Sequence, residues 1–201
     1  MAERNDCSVL GRDFYERDVL HVARDLLGCR LVHGAVGGVI VETEAYGGPG
    51  DPGSHADRTP GGRARIMFGP PGIAYVYFTY GMHFCMNAVT GPEGEGSAVL
   101  IRALEPVWGV ERMRAAGFPS NLRDHKLASG PGRVCRALGV GRDHNGADLT
   151  DGHLTIMEPV EPRDPVSSGH RVGLTLDDDR PWRFWVDSDS VSRAARRGKR
   201  R

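Results

Sequence analysis

The sequence predicts an α+β fold: a single compact domain with a curved, mainly antiparallel β-sheet, surrounding helices and a protruding β-hairpin. Two observations favour this class. Strand-like segments dominate the 201 residues and follow one another through glycine-rich turns of the kind that join hairpins. Helical segments come at irregular intervals and do not alternate with strands as βαβ units would. With 39% hydrophobic and 26% charged residues the composition is ordinary for a globular chain, and we expect one domain over residues 1–191.

The first predicted elements are a helix and two strands. The pattern DVLHVARDLLG begins at Asp18, a typical N-cap, carries apolar residues at helical spacing and ends at Gly28. Residues 29–33 and 38–46 have the pattern of strands joined by a glycine-bearing turn. Side chains alternate across a strand. Four residues of the second strand should therefore share one face: Ile40, Glu42, Glu44 and Tyr46.

Residues 47–72 form a long segment in which half of the residues are Gly or Pro. This composition predicts a loop without regular elements, and a loop of this length in a compact domain is usually functional or disordered. The loop joins the glutamate-bearing strand to the most aromatic part of the chain, residues 73–91, where Gly81 and Met82 predict a hairpin turn. The glutamate face is therefore either the solvated side of a sheet or part of a site.

The second half of the chain is predicted to contain further strands and two helices. The strand segments are rich in β-branched and aromatic residues, and Pro131 is typical of the first residue of a helix. The predicted strands cover residues 97–107, 153–160, 171–176 and 183–187, and the predicted helices lie near residues 110–117 and 132–139.

Tyr80 differs from the other tyrosines of the aromatic hairpin. Tyr75 and Tyr77 share one face of their strand, and the usual interpretation of strand tyrosines is packing in the core. Tyr80 comes directly before the turn, where its own sheet cannot bury it easily. An exposed aromatic ring on a stiff protrusion suits insertion into a stack of nucleic-acid bases.

The basic residues are unevenly placed in a chain whose 26 basic and 26 acidic side chains balance. Residues 192–201 carry six basic side chains and no acidic one, so the remainder of the chain is net acidic. Such a segment is typically a solvated, disordered tail, and it can also hold a polyanion loosely through counterion release.

The sequence has no apolar leader and no apolar run long enough to span a bilayer. We therefore expect a soluble, cytoplasmic protein, associated with the nucleoid if it is bacterial. The four cysteines lie far apart and form no CxxC pair, which argues against a cysteine-based metal site.

The sequence contains the motifs VETEAYGGPGD, His55, MFGPPGIAYVYFTYGMHFCMN, LIRALEP, SGPGRVCRALG and the RFWV that follows Trp182. Together these motifs resemble those of the alkyladenine (3-methyladenine) DNA glycosylases, which excise alkylated and deaminated purines. The resemblance runs from about residue 10 to about residue 190, with the motifs in the same order as in the family.

The resemblance implies roles for individual residues in the excision of a purine that has been flipped out of the duplex. Glu44 is implied to be the general base that deprotonates the attacking water. Tyr46 and His55 are implied to form one side of the base pocket and Tyr77 the opposite stacking wall. Tyr80 is implied to be the wedge that fills the gap left by the extruded nucleotide.

Two further residues are implied to position the water and to select the base. Arg102 is similar to an arginine that helps to hold the water and the neighbouring phosphate, and Asn87 to a residue that crowds the 2-amino group of normal guanine. No lysine near the motifs suggests Schiff-base chemistry, so we expect a monofunctional enzyme without a lyase step, metal or cofactor. The expected partner is duplex DNA with a damaged purine (3-methyladenine, 7-methylguanine, hypoxanthine or ethenoadenine), bound by a monomer.

Three alternative functions would use some of the same residues. A glycoside hydrolase would use Glu42 and Glu44 as its acid pair, but both lie on one strand face and hence on one side of a sugar. A metal hydrolase would use Glu44, Asp51 and His55, which lack an HxH or HxxxH spacing. A catalytically silent protein that binds damaged DNA would use Tyr80 and the basic tail, and would most simply have lost Glu44.

Overall fold

The eight strands found among the described residues belong to one sheet, and every strand pair among them is antiparallel. The computed structural model describes residues 8–159, 165–174 and 179–192, and the fold is reported for these residues. The strands are β1 (Arg30–His33), β2 (Val36–Tyr46), β3 (Ala74–Thr79), β4 (His83–Thr90), β5 (Ser97–Trp108), β6 (Leu154–Met157), β7 (Ser167–Gly169) and β8 (Arg183–Trp185).

Helices pack around this sheet. The α-helices are α1 (Arg12–Tyr15), α2 (Val19–Asp25), α3 (His55–Arg58), α4 (Val110–Ala115) and α5 (Pro131–Leu138), and 3₁₀ turns cover Gly62–Phe68, Asp124–Lys126 and Arg142–His144. The main strand order is β3-β4-β5-β2-β1-β6. The long strand β2 pairs with β5 on one side, and on the other side first with β1 and then with β8. The predicted α+β class with a curved, antiparallel sheet is confirmed.

The predicted helix after Asp18 forms as expected. The Asp18 carboxylate accepts hydrogen bonds from the backbone N–H groups of Leu20, at 2.9 Å, and His21, at 3.3 Å, which satisfies two of the free donors at the start of α2. The buried face of the helix packs in the core against the sheet, and it includes Val22. The helices predicted near residues 110–117 and 132–139 are α4 and α5.

Strand β2 carries an irregularity that changes one prediction. Its register against β5 shifts around Val41, as in a β-bulge. Ile40 lies in the main hydrophobic core together with Val41, so it does not share the face of the glutamates as strict alternation predicted. Glu42 and Glu44 do share a face, because both carboxylates contact the same arginine, Arg102.

The prediction that residues 47–72 contain no regular element was wrong. Ser54 caps α3 by accepting a hydrogen bond from the backbone N–H of Ala56, and a 3₁₀ turn follows over Gly62–Phe68. Side chains of these short elements, Ala56 and Met67 among them, bury themselves in a second small core against the aromatic hairpin. A sequence window dominated by Gly and Pro hides elements as short as one turn.

Two other expectations concern the C-terminal part. The predicted strand over residues 171–176 is not found at residues 171–174, which are irregular, and residues 175–176 lie outside the described ranges. The predicted basic tail, 192–201, likewise lies outside the described residues apart from Ser192, and so remains a prediction. Among the described helices, none is long and apolar enough to cross a membrane.

Candidate active site

A pocket of about 210 Å³ lies between strand β2, strand β5 and the aromatic hairpin of β3 and β4. Its walls combine aromatic rings with a few polar groups, the composition that is typical of sites for a flat ligand. Six of the seven residues singled out from the sequence line it: Tyr46, His55, Tyr77, Tyr80, Asn87 and Arg102.

The seventh residue, Glu44, lies beneath this pocket. Its side chain is completely buried, and three lining residues donate to its carboxylate. The Tyr46 hydroxyl donates to Oε2 at 2.8 Å and Arg102 to the same oxygen at 3.2 Å, while the backbone N–H of Val172 donates to Oε1 at 2.6 Å. A carboxylate has about four acceptor positions, so roughly one is left for a water that enters from the pocket.

The two glutamates of β2 lie in different electrostatic surroundings. Burial raises the pKa of Glu44 above the usual glutamate value, and the donors from Arg102, Val172 and Tyr46 only partly oppose it. Burial acts on Glu42 in the same direction, but Arg102 and Arg183 outweigh it, so the pKa of Glu42 is lowered. Glu44 therefore holds a proton more readily than Glu42, as a general base requires.

Glu42 is held by a dense set of donors. Its Oε1 accepts from Arg102 at 2.8 Å and from Arg183 at 2.7 Å, and its Oε2 accepts from the backbone N–H of Ser192 at 2.7 Å. These contacts join β2, β5 and β8 to the end of the described chain. We conclude that Glu42 is a structural anion and that it orients Arg102 toward Glu44.

The aromatic walls of the pocket are ordered by ring contacts. His55 and Tyr77 meet edge to face with ring centres 4.7 Å apart. Rings at this separation already touch each other, so no base can lie between them. His55 thus adjoins Tyr77 and does not face it across the pocket as predicted, which leaves Tyr46 as the candidate for the opposite wall.

His55 is held as a neutral ring of defined orientation. Burial, followed by the charges of Arg63 and Arg58, lowers its pKa from 6.5 to about 4. The Arg63 guanidinium lies 3.5 Å from Nε2, and an arginine can only donate, which favours the tautomer with the proton on Nδ1. The Nδ1–H then donates to the Tyr75 hydroxyl at 2.9 Å.

Arg63 is a site residue that the sequence analysis missed. It lies 5.5 Å from the centre of the Tyr77 ring, close enough for a cation–π contact, as well as beside His55. Arg63 lies in the Gly/Pro-rich segment that was predicted to be irregular, so the sequence pattern gave no reason to place it near the pocket.

A buried ion pair between Arg171 and Asp51 lies beside Tyr46, next to the pocket. Arg171 donates to both oxygens of Asp51, at 2.7 Å each, and to the carbonyl of Ala45, and its guanidinium lies 4.8 Å from the centre of the Tyr46 ring. This pair was not predicted, and it fixes the segment that carries Val172 against Glu44. Because Asp51 is engaged by Arg171, it does not face Glu44 as a metal hydrolase would need, and the described residues contain no cluster of three potential metal ligands.

The hairpin supplies Asn87 and Tyr80. Asn87 is buried and donates through Nδ2 to the carbonyl of Tyr75 at 3.0 Å, which fixes its side chain in the pocket wall. Tyr80 is 82% exposed at the tip, as its position predicted. It has a φ of 50°, and among the described residues no other non-glycine residue has a positive φ. A bulky residue in this conformation is strained, and such strain is often found where a side chain serves a function.

Comparison with known proteins shows to which family the chain belongs. A family model described as methylpurine-DNA glycosylase matches residues 13–190, most of the chain. The chain belongs to the methylpurine-DNA glycosylase family. Relatives in this family, each provisionally named a 3-methyladenine DNA glycosylase, include proteins of Methanoculleus marisnigri and Streptomyces avermitilis. The first is 49% identical over 86% of this chain and 92% of its own length, and the second is 49% identical over 92% and 90%.

A third relative, from Carboxydothermus hydrogenoformans, is 46% identical over 90% of this chain and 96% of its own length. The methylpurine-DNA glycosylase match therefore spans the sheet, the aromatic hairpin and the buried carboxylates of the pocket. It does not rest on one motif.

Proposed function

We propose that this protein is a DNA repair glycosylase that flips alkylated or deaminated purines out of duplex DNA and hydrolyses their N-glycosidic bond, leaving an abasic site. The observation that carries this proposal is a buried carboxylate, Glu44, directly beneath an aromatic pocket and a strained, exposed tyrosine at its rim. The family membership and the names of the relatives support the same activity.

In this proposal the flipped purine stacks between Tyr46 and the joined rings of His55 and Tyr77. Asn87 crowds the position of a 2-amino group and so discourages normal guanine. Flipping costs a few kcal/mol, and it costs least for a damaged or mispaired base, which gives the first selection. Tyr80 occupies the vacated place in the stack and slows the return of the base.

Glu44 then removes a proton from a water held between its carboxylate and Arg102. The attack of this water on C1′ breaks the bond to the purine nitrogen, and the bonding electrons leave with the base. The sugar gains positive charge in the transition state, so the Glu44 carboxylate also stabilises it electrostatically. The proposed enzyme acts as a monomer, and it catalyses no lyase step.

The state of His55 bears on which purines leave fastest. The Nε2 of His55 lies beside the donor Arg63, so His55 offers no proton to the pocket through this nitrogen. Burial raises the pKa of Tyr77 and of Tyr46 above the ordinary tyrosine value, so neither hydroxyl gives up its proton readily. Among the described lining residues we therefore assign no general acid. Purines alkylated on a ring nitrogen leave as neutral bases without protonation, so 3-methyladenine and 7-methylguanine should leave faster than hypoxanthine or ethenoadenine.

The pH dependence of excision should report the raised pKa of Glu44. A protonated Glu44 cannot accept a proton from water, so the single-turnover rate should fall as the pH drops through the pKa of Glu44, which lies above 4.5. The measurement is the release of 7-methylguanine, which leaves without protonation, from duplex DNA with saturating enzyme, corrected for spontaneous loss. A rate that stays constant down to pH 4.5 would contradict the assignment.

Replacement of Tyr80 by Ala should weaken lesion capture without affecting folding, because the side chain is 82% exposed. Stacking of an aromatic ring on a base contributes roughly 1–3 kcal/mol, which corresponds to about 5- to 150-fold in affinity for a duplex with one ethenoadenine. Met82→Ala is the matched control, since Met82 is 68% exposed in the same turn. Equal effects of the two substitutions on affinity would argue against a wedge.

The alternative of a catalytically silent protein that binds damaged DNA makes a different prediction. Such a protein would bind a duplex with one hypoxanthine or ethenoadenine but leave it resistant to alkali. Retention of Glu44 together with its donors favours the enzyme. If those lesions are left intact, methylated DNA is the decisive substrate, because its bases leave without protonation.

A further inference from the structure

A second cavity, larger than the active-site pocket, opens on the edge of the sheet formed by β1 and β6. Its volume is about 700 Å³, and it shares no lining residue with the active-site pocket. The walls are mostly apolar and include Val9, Val32, Trp108 and Met157. We call this cavity the β1–β6 groove. Its volume lies within the range of roughly 300–1,000 Å³ that is typical of small-molecule sites.

One charged side chain, Arg30, lines the groove and is 4% exposed. Its Nε donates to the backbone carbonyl of Glu158 at 3.3 Å, and its guanidinium lies 5.8 Å from the centre of the Trp108 ring. The terminal nitrogen Nη2 is buried and has no hydrogen-bond partner among the described residues. A buried donor without an acceptor is costly, and more so when it carries charge.

The active site does not explain this arrangement. Arg30 contacts none of the proposed catalytic residues, and its surroundings combine an indole ring with aliphatic side chains. Nη2 is closed to solvent in this structure, so an acceptor that enters the groove would pair with the guanidinium once it turns toward the groove, and a planar apolar body would replace water against Trp108 and Val32. A single arginine in apolar walls suits a carboxylate, since one planar group can pair with it through two parallel hydrogen bonds.

We propose that the β1–β6 groove binds a small aromatic carboxylate, whose ring packs on Trp108 and whose carboxylate pairs with Arg30. This site is independent of the proposed glycosylase activity. It lies on a different part of the sheet, and its occupancy requires no DNA.

The test is titration of the full-length protein with 1-naphthoate, followed by the backbone amide resonances. We expect saturable shifts at Gly34 and Gly109, which line the groove, and none at Gly53 and Gly173, which line the active-site pocket. Arg30→Met keeps most of the apolar stem but removes the donors. It should weaken 1-naphthoate binding at least about tenfold, leave the binding of uncharged 1-naphthalenemethanol unchanged, and leave base excision unchanged.

A second variant keeps the proposal testable if Arg30→Met does not fold. Val32→Phe adds bulk at a half-buried wall position and should abolish naphthoate binding while retaining Arg30. Shifts confined to Gly53 and Gly173, equal naphthoate affinity in wild type and Arg30→Met, or no saturable shift would each overturn the proposal. A dimer in sedimentation, together with shifts of the Gly34 and Gly109 resonances that depend on protein concentration, would also overturn it, because the groove would then be an interface between copies.

Discussion

Replacement of Glu44 by Gln is expected to lower the single-turnover rate of purine excision by about 100- to 10,000-fold, the range usually contributed by a general base. Glutamine keeps the shape of the side chain and an oxygen that can accept from the N–H of Val172. It cannot take a proton from water. Binding to lesion-containing duplex should persist, because the aromatic walls and Tyr80 are unchanged. The measurement is base release under saturating enzyme, with affinity determined separately on the same DNA.

Glu42→Gln is the matched control. Glu42 lies two residues earlier on the same strand and is equally buried, but it accepts from Arg102, Arg183 and Ser192. Loss of the Glu42 charge leaves the buried guanidinium groups of Arg102 and Arg183 without this counterion, so the free energy of unfolding should fall. The folded fraction should still excise the base much faster than Glu44→Gln. Similar losses of rate at the two positions would contradict the distinct roles assigned to the two glutamates.

Arg102→Met is expected to have the largest effect on stability. Arg102 is 5% exposed and pairs with both buried glutamates, Glu42 at 2.8 Å and Glu44 at 3.2 Å. Removing one partner from a buried ionic group typically costs about 3–5 kcal/mol, because charge is left uncompensated. Excision should be lost as well, since the pKa of Glu44 would rise further without the arginine. Urea unfolding at neutral pH gives the stability change.

A combined variant separates the ion pairs from packing. If Arg102 stabilises the fold by compensating the carboxylates, Glu42→Gln and Glu44→Gln in the same chain should recover much of the cost of Arg102→Met. Additive losses would instead mean that Arg102 stabilises the protein through its packing. Arg102→Lys should lie between wild type and Arg102→Met, because it retains the charge but not the planar fork that reaches both carboxylates.

Local pattern was enough to predict several features of the molecule. The capping of α2 by Asp18 and the exposure of Tyr80 follow from residues that are close together in sequence. The shared face of Glu44 and Tyr46 follows from strand alternation, and their hydrogen bond bears it out. Assignment of catalytic roles required the resemblance to a family, because a lone glutamate on a strand is more often solvated than functional.

The remaining features depend on contacts between distant parts of the chain. Val172 is 128 residues from Glu44, and Arg171 is 120 residues from Asp51. No local periodicity encodes such pairs. The bulge at Val41 was hidden for a related reason, since an extra residue in one strand is defined only against its partner strand. Tertiary packing therefore decides how the carboxylate is desolvated and how the pocket is closed.

The most direct test of the account is product analysis of alkylated duplex DNA treated with the wild-type protein. The account predicts that free 3-methyladenine appears on chromatography, while the DNA strand remains intact until alkali cleaves it at the abasic site. Borohydride added during the reaction should trap no covalent complex of protein and DNA. Absence of released purine, or a trapped complex, would contradict the account.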